Sequence, residues 1–580
     1  MRTFFDGPFE NSLFSGLRWQ KRTALIVVPH QDDELNLTGA TICNLLEHHI
    51  RVRVLFCTNS DRFEPGALRI QEGIASCRSL GVPEEDIIFL GYCNTLRLRP
   101  DLNFYNGDRD DLPVTSTRGL KETYCLPQKP EFCFARHRVH HQYTRYNFRS
   151  DIQEVIQTYL PEVIFAVDFD RHPDHRSLSF IFEEALANIL SRAGNTYQPE
   201  VYKGFAYNGS FLGQRDFYSS LNLRGEVPAE GSFSNNLAFD TDYPPYDWSQ
   251  RVRLPVPRRV LSRTLNGSFL YPAIRAHFSQ GMLHNAKRVL NSDQVFWRRR
   301  TDSLSYQAKI TVSSGNGAGL NNFKLADCPD VLALPALLKG GTWIPDSGDT
   351  QKEARLDFAA PQPVSRVVLY GNADLENRVL AGTITLSNGF ALDFGPLREG
   401  AKATVFDFPP QLDLTWVKVK LRQTQGKEAG LNEIEVYAQA EPPTLLNYLK
   451  LMVDGTFAYD YWLQGGQRFV RLQLYTCGPG GVKVYEKELP SAYILKKVSG
   501  SDYELKGLEI TLGPACREAV IRVECMAEPE VYDQIVLRPV SLLQLTHLKL
   551  VQGVDVVWNR LEHVVKNKYY KLFIKEKNRE

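Results

Sequence analysis

The sequence predicts a multi-domain protein of the α/β plus all-β class, with a Rossmann-like parallel α/β catalytic domain followed by two β-sandwich domains. In the first half of the chain, short apolar runs alternate with helical patterns, as in a parallel sheet covered by helices on both faces. After about residue 305, short strands are separated by Gly, Asp, Asn and Pro, which is typical of antiparallel sandwiches. Glu441–Pro443 has the composition of a linker. We therefore predict domains at 1–304, 305–441 and 442–580.

The predicted α/β domain contains four short apolar runs that are typical of strands buried on both faces of a sheet. These runs are Ala24–Val28, Val52–Cys57, Asp86–Leu90 and Glu162–Val167. Helical periodicity predicts helices over residues 37–49 and 65–80, another from a capping box at Ser150–Gln153, and a fourth over 178–190. The polar segment 97–149 is long enough to indicate a functional loop. Residues 200–300 are assigned to edge strands and loops that complete the domain.

The second half of the chain is interpreted from alternating apolar residues and turn residues. Five short strands predict the first sandwich: Ala354–Phe358, Ser365–Tyr370, Thr383–Leu386, Trp416–Leu421 and Glu433–Tyr437. Residues 445–540 show the same alternation of apolar residues and turn residues, which predicts a second sandwich. The last stretch, 541–574, is expected to form a strand or a helix with a basic tail.

Composition and charge exclude several classes of function. The chain has 580 residues, of which 43% are hydrophobic, and its net charge is +1, so no overall field favours nucleic acid. No run of about 18 apolar residues is present, and we expect no membrane span. Met1–Gln20 lacks the apolar core of a secretory signal, and the ten cysteines form no CxxC pair. We expect a cytoplasmic protein, with secretion as the alternative if a signal peptide was removed.

Two dense polar motifs follow two of the predicted strands. His30–Glu34 comes directly after the first strand, and His172–His175 comes just after the strand that ends at Val167. Open α/β sheets bind ligands at the carboxyl ends of their parallel strands. Catalytic zinc takes three protein ligands from His and Asp or Glu and leaves one position for water. We expect His30, Asp33 and His175 to be these ligands.

The remaining polar residues of the two motifs have candidate roles beside the metal. Asp32 could take the proton of the attacking water as a general base. His172 could stabilise the oxyanion of a tetrahedral intermediate or protonate the leaving amine. Asp168, Asp170 or Asp174 could fix the tautomer of a histidine ligand.

The same motifs resemble those of a known family. Pro29–Glu34 and His172–His175 are similar to the metal-binding motifs of the PIG-L/LmbE-like N-acetylglucosaminyl deacetylases. The similarity covers roughly the first half of the chain. It continues through Arg69–Glu72, Leu80–Val82, Phe89–Tyr92, Gly119–Tyr124 and Phe296–Thr301.

The resemblance implies a zinc site formed by His30, Asp33 and His175. It also implies that Asp32 is the base and that His172 is an electrophilic helper. Another divalent metal such as Fe²⁺ is an alternative to zinc.

The resemblance further implies that Arg69 lies in the substrate pocket. The family often has an acidic residue that contacts sugar hydroxyls after the third strand. In this sequence Asn94 stands near that place, and it is a candidate substrate-binding residue. The amide chemistry is therefore better supported than the choice of sugar.

The predicted middle domain resembles a discoidin (coagulation factor 5/8 C-type) sandwich. The segments that carry this resemblance are Gly341–Trp343, Ala354–Phe358, Arg366–Gly371 and Gly430–Tyr437. Such modules often bind glycans and sometimes hold a structural Ca²⁺, so a bound glycan and a calcium ion are expected here. The C-terminal domain has no recognised relative.

The sequence thus predicts a zinc-dependent hydrolase that removes an N-acetyl group from an N-acetylglucosamine-type sugar or glycoconjugate. One alternative is an amidase that acts on another N-acyl compound or on a thiol conjugate. A second alternative is a carbohydrate-binding protein whose α/β domain is catalytically silent.

Overall fold

A computed structural model describes most of the first 440 residues and parts of the remainder. The described residues are 2–11, 22–47, 49–62, 64–94, 110–168, 170, 172–206, 246, 252–254, 260, 266–281, 289, 294–325, 341–372 and 375–440, then strands within 448–540 and a helix over 542–569. The predicted linker Glu441–Pro443 lies outside them, as do residues 97–109 of the predicted loop.

After an N-terminal strand, β1 (Arg2–Asn11), the first half of the chain builds one mixed α/β layer structure. Its strands are β2 (Thr23–Val28), β3 (Arg51–Thr58), β4 (Ile87–Tyr92), β5 (Val163–Val167), β6 (Glu200–Gly204), β7 (Val252–Leu254) and β8 (Gln294–Arg299). Its helices are α1 (Asp33–Glu47), α2 (Gly66–Leu80), α3 (Phe132–His137), α4 (Arg145–Tyr159), α5 (Pro173–Leu190) and α6 (Tyr271–Ala276).

The seven strands of this sheet have the order β4-β3-β2-β5-β6-β8-β7. Strands β4, β3, β2, β5 and β6 run parallel to one another, whereas β8 pairs antiparallel with both β6 and the edge strand β7. The apolar residues of β2 and β5 are buried, as the continuous apolar runs predicted. Because β2 and β5 are neighbours, the segments that follow them emerge side by side.

Three helices begin earlier than the sequence predicted. Helix α1 begins at Asp33 and not near residue 37, and α5 begins at Pro173 and not near residue 178. The capping box at Ser150 was wrong, because α4 begins at Arg145. The N-cap residue is Thr144, whose Oγ1 accepts the backbone N–H of Asn147 at 3.1 Å, so Ser150 lies inside the helix, where no end group needs a cap.

The middle of the chain forms an antiparallel β domain with its own core. Its strands are β9 (Lys309–Val312), β10 (Glu353–Gly371), β11 (Arg378–Leu386), β12 (Ala391–Phe394), β13 (Thr404–Gln425) and β14 (Leu431–Tyr437), in the order β12-β11-β13-β10-β14 with β9 beside β10. Ala354–Phe358 and Ser365–Tyr370, predicted as separate strands, are two halves of β10. Register shifts against β13 between Asp357 and Arg366 bend this strand without ending it.

The C-terminal part contains two further antiparallel sheets. They are built from β15 (Tyr448–Val453), β16 (Phe457–Trp462), β17 (Val470–Thr476), β18 (Val482–Leu489), β19 (Ala492–Ser499), β20 (Asp502–Leu505), β21 (Leu508–Thr511), β22 (Ala519–Cys525) and β23 (Tyr532–Val540). Strand β1 pairs antiparallel with β23, so the N-terminus completes a C-terminal sheet. Helix α7 (Leu542–Tyr569) follows, and in the described part of the chain no helix is both long and apolar enough to cross a bilayer.

The α/β layer and the middle β domain share a charged and aromatic boundary. The carboxylate of Glu184 on α5 lies 2.6 Å from the Nζ of Lys324, and Arg299 donates to the carbonyl of Phe323 at 2.7 Å. A cavity of about 140 Å³ lies at this boundary and is lined by residues such as Trp297 and Tyr370. The boundary is on the β8 side of the sheet and is separate from the two polar motifs.

Candidate metal centre

The structure brings the two polar motifs together at the ends of adjacent strands. His30 lies in the turn between β2 and α1, and Asp33 is the first residue of α1. His172 is the N-cap residue of α5, and His175 lies in the first turn of that helix. His30, Asp33 and His175 are each at most 6% exposed, so their polar atoms face one another inside the protein.

Two of the expected ligands, His30 and His175, flank a carboxylate oxygen of the third, Asp33. Oδ2 of Asp33 lies 2.9 Å from Nδ1 of His30 and 3.1 Å from Nε2 of His175. Ligand atoms around a tetrahedral zinc are roughly 3.3 Å apart when the bonds are near 2.0–2.1 Å. The three histidines His30, His172 and His175 form an overlapping set of possible ligands, because their ligand atoms lie within 4.8 Å of one another. The group is therefore compact enough to hold a metal ion.

Two further carboxylates hold the histidine rings from behind. Nε2 of His30 lies 2.8 Å from Asp174, and Nδ1 of His175 lies 2.7 Å from Asp170. When a neutral imidazole donates its N–H to one of these carboxylates, its other nitrogen carries the lone pair and lies on the side of Asp33, where a metal ion could take it as a ligand. Asp170 and Asp174 therefore each hold one of the two rings in place, and their role beside a metal stays a prediction.

The electrostatics of this pocket favour a positive charge. Burial alone would lower the pKa of His30, but its bonds to Asp174 and Asp33 raise that pKa to about 9. Burial would raise the pKa of Asp33, yet the neighbouring His175 and His30 hold it well below its usual value. A pocket that stabilises protonated imidazoles against carboxylates fits a divalent cation.

His172 is placed differently from the other two histidines. Its Nδ1 accepts the backbone N–H of Asp174 at 3.2 Å, and its own backbone N–H donates to Asp170 at 2.8 Å. Burial and the nearby His30 and His175 lower the pKa of His172 to about 3. The ring is therefore neutral, and because Nδ1 accepts, its proton lies on Nε2. The role of His172 in stabilising an oxyanion or protonating a leaving amine stays a prediction.

Asp32 has a strained backbone and an unusual carboxyl group. Its φ is 141°, a conformation that side-chain-bearing residues rarely adopt and that is often found at functional sites. Burial raises the pKa of Asp32 to about 6, and the guanidinium of Arg69 opposes this rise. A carboxyl group that changes protonation near neutral pH suits proton transfer.

Arg69 is buried, although an arginine on this turn of a helix could equally have formed a salt bridge at the surface. It is 2% exposed, and its Nη2 donates to the carbonyl of Gln31 and lies 3.3 Å from Oδ1 of Asp32. Its Nε and Nη1 are buried and have no hydrogen-bond partner among the described residues. Arg69 thus fixes the Asp32 turn and keeps two donors for another group.

Asn94 lies just beyond β4 at the same edge of the sheet. Its backbone N–H donates to the carboxylate of Asp61, and its Oδ1 is buried without a hydrogen-bond partner among the described residues. Asp61 is itself buried and accepts the hydroxyl of Tyr124 at 2.9 Å. The contacts therefore place Asn94 beside an acidic residue that the sequence analysis had not singled out.

A buried network behind Asp32 was not predicted from the sequence. Oε2 of Glu34 accepts the backbone N–H of Asp32 at 2.9 Å. Oε1 of Glu34 receives the hydroxyl of Ser76 at 2.6 Å and lies 2.6 Å from Nε2 of His277. His277 lies directly after α6, 243 residues from Glu34, and no local pattern marks it. This network helps to hold the strained turn.

A second group of possible metal ligands lies elsewhere in the α/β layer. It consists of Cys133, His141 and Asp151. The carboxylate of Asp151 already binds His141 at 2.8 Å and the hydroxyl of Tyr92 at 2.6 Å. Both carboxylate oxygens of Asp151 therefore have partners without an ion, so we regard this group of three residues as a structural hydrogen-bond cluster. The calcium ion expected in the middle domain stays a prediction.

Comparisons with known proteins agree with the motifs. Residues 25–186 match the family model PIG-L, described as GlcNAc-PI de-N-acetylase. Residues 304–437 match DUF7402, a domain of unknown function. No curated protein gives a significant match to the chain.

Several solved structures show a partial likeness. N,N'-diacetylchitobiose deacetylase from Pyrococcus horikoshii is 16% identical, and the match covers 50% of this chain and 86% of that one at a TM-score of 0.27. A conserved protein from Thermus thermophilus is 19% identical, with 33% and 71% covered and a TM-score of 0.21. The lectin domain of lectinolysin, complexed with Lewis b antigen, is 17% identical, with 23% and 94% covered and a TM-score of 0.18.

Proposed function

We propose that this chain, which carries a PIG-L family domain at residues 25–186, is a zinc-dependent hydrolase that removes the acetyl group from an N-acetylglucosamine-type sugar or glycoconjugate. The observation that carries the proposal is Oδ2 of Asp33, which lies between two oriented histidines and next to the strained Asp32. Bound by His30, Asp33 and His175, zinc would supply a Lewis acid and an activated water.

The residues around this site would have different roles in amide hydrolysis. Asp32, with its raised pKa, accepts the proton of the attacking water and returns it to the leaving amine. Arg69 fixes the Asp32 carboxylate through the 3.3 Å contact to Oδ1. His172, as a neutral donor through Nε2, hydrogen-bonds the acyl oxygen as negative charge develops on it.

Replacing Asp32 by Asn tests the proposal. The amide cannot accept a proton, so we expect deacetylation of an N-acetylglucosamine conjugate to fall by about 100-fold or more, while metal content is unchanged. Asp407→Asn, which alters a half-exposed carboxylate of the middle domain, is the matched control and should keep full activity. Full activity in the Asp32→Asn protein would refute the assignment of the base.

The metal itself is tested by removal and replacement. Chelated protein should lose activity and regain it with Zn²⁺, whereas recovery with Fe²⁺ alone would favour iron in the same residues. His175→Ala should lower metal content and activity together. A freshly purified protein that contains no metal and hydrolyses no amide would instead support a catalytically silent carbohydrate-binding protein.

The surroundings of Asn94 favour a second candidate substrate, an N-acyl compound or thiol conjugate other than an amino sugar. Its Oδ1 is buried and has no hydrogen-bond partner in the described part of the chain, and it stands where the family often has an acidic residue. The side-chain amide of Asn94 can both accept and donate a hydrogen bond, so it could bind an acyl compound other than a sugar. A panel of N-acetyl sugars, N-acyl amines and thiol conjugates, each compared by kcat/KM, would decide between a sugar deacetylase and a broader amidase.

A further inference from the structure

Helix α7 presents an apolar face to the solvent. Nine of its large apolar side chains are exposed by 39–82%: Leu543, Leu550, Val551, Val554, Val557, Trp558, Leu561, Val564 and Val565. Their spacing places them on one side of the helix. A surface helix ordinarily turns such a stripe toward the core, and a continuous exposed patch usually marks an interaction site.

The opposite side of α7 holds it to the α/β layer by polar contacts. Asn266 donates to Asp555 at 2.8 Å, and the hydroxyl of Tyr271 donates to Asn559. Arg275 on α6 forms an ion pair with Glu562. Asp555 and Asn559 are 8% and 1% exposed, so the polar side of the helix is the buried side.

The charges of α7 are divided in the same way. Its two acidic residues, Asp555 and Glu562, both make the inward contacts. The basic residues Lys549, Arg560 and Lys568 are exposed. The outward surface of the helix is therefore apolar and cationic, with no exposed acidic side chain.

We propose that the outward face of α7 docks this protein on an anionic lipid surface. Interfacial helices combine an apolar face containing Trp and Leu with Lys and Arg beside it, and they bind more strongly when the lipid is anionic. Trp558 belongs to the apolar face, and Lys549 and Arg560 are the exposed basic side chains that would meet lipid head groups. This inference does not depend on the reaction proposed for the metal centre.

A second copy of the chain fits this face less well than a lipid surface does. The residues Leu543, Leu550, Val557 and Val564 recur every seven positions, as in a coiled coil. However, Val551, Trp558 and Val565 widen the apolar face beyond the narrow seam of two paired helices.

The proposal is tested by mixing the full chain with lipid vesicles and separating bound from free protein by sedimentation. We expect binding to mixed phosphatidylcholine–phosphatidylserine vesicles, weaker binding to phosphatidylcholine alone, and a decrease as salt is added. The fluorescence of the protein should shift to shorter wavelength with the mixed vesicles. Most of this shift should disappear in Trp558→Phe, although the chain contains seven tryptophans.

Two sets of substitutions separate the apolar and electrostatic contributions. Val554→Ser with Leu561→Ser should weaken vesicle binding by at least about tenfold. Lys549→Gln with Arg560→Gln should remove much of the dependence on anionic lipid and on salt. Val405→Ser, at an exposed valine of β13, is the matched control and should bind as the parent protein does. All five positions are exposed, so an unchanged thermal midpoint is expected.

Two results would overturn the proposal. One is absence of binding to the mixed vesicles by the folded full chain. The other is a concentration-dependent dimer in lipid-free sedimentation velocity that the Val554→Ser, Leu561→Ser protein loses, together with no vesicle binding. That second result would assign the face to another copy of the chain.

Discussion

Two neighbouring aspartates show how local surroundings give similar side chains different chemistry. Asp33 is held well below its usual pKa because His175 and His30 outweigh the effect of burial. Burial raises the pKa of Asp32 to about 6, and Arg69 only partly opposes it. One carboxyl group is therefore favoured in its charged form, which suits a metal ligand, whereas its neighbour can exchange a proton near neutral pH.

At the same scale, we predict that Asp174 tunes the metal affinity. Asp174→Asn replaces a charged acceptor for Nε2 of His30 with a neutral one, so the ring loses basicity and orientation. We expect zinc to be bound about 10- to 100-fold more weakly, measured by competition with a chromophoric chelator. Asp357→Asn, in the middle β domain, is the control. Equal affinities in the parent and the Asp174→Asn protein would contradict this role.

At the scale of elements, the conformation of the long segment before α4 is held by side-chain hydrogen bonds more than by helices and strands. In residues 110–144, the described backbone contains the short helix α3 and isolated bridges such as Glu122 with Gln142. His141 ties this segment to α4 through Asp151 at 2.8 Å. Periodicity could not predict this arrangement, because the contacts join polar side chains that lie far from any repeating pattern.

The His141 contact should make stability depend on pH. Its bond to Asp151 raises the pKa of His141 above its usual value. The extra stability is therefore fully present below the unfolded pKa, near 6.5, and is lost as the pH rises through the folded pKa. His141→Gln should lower the free energy of unfolding at pH 6 and have a smaller effect at pH 9, as measured by denaturant titration.

A second histidine provides the comparison for this experiment. His547 is exposed on α7. His547→Gln should show the same free energy of unfolding as the parent protein at both pH values. If the difference in the free energy of unfolding between the His141→Gln protein and the parent became larger with rising pH, the predicted sign of the effect would be wrong.

At the scale of the whole molecule, the boundary between the α/β layer and the middle β domain depends on Glu184. Burial would raise the pKa of this carboxyl, but Lys324 and Arg145 lower it to about 2. Lys324 belongs to the middle domain and Arg145 to α4. One carboxylate therefore joins three parts of the fold, in a position where an unpaired charge would be costly.

We expect Glu184→Gln to destabilise this boundary in a pH-dependent way. A carboxyl with a depressed pKa stabilises the fold above its unfolded pKa, near 4.5, and this contribution is lost as the pH falls toward 2. The substitution should cost on the order of 3 kcal/mol at pH 7, seen as a lower thermal midpoint, and much less at pH 3. Glu399→Gln, at an exposed ion pair with Arg378, should change little at either pH.

The sequence by itself determined the class of the fold and the edge of the sheet at which the candidate metal ligands meet. Continuous apolar runs specify strands buried on both faces, and polar motifs directly after such strands must lie at one edge of a parallel sheet. For this reason the convergence of His30, Asp33 and His175 was predicted from residues more than a hundred positions apart, whereas their function stays a proposal.

Only the tertiary structure decided the contacts that no local pattern encodes. His277 reaches Glu34 across the chain, β1 completes a sheet with β23, and α7 packs its polar side inward. Periodicity gives an element its type and its apolar face, but not its partner. Partners are selected by the combined packing and polar satisfaction of distant segments, and these become visible only once the chain is folded.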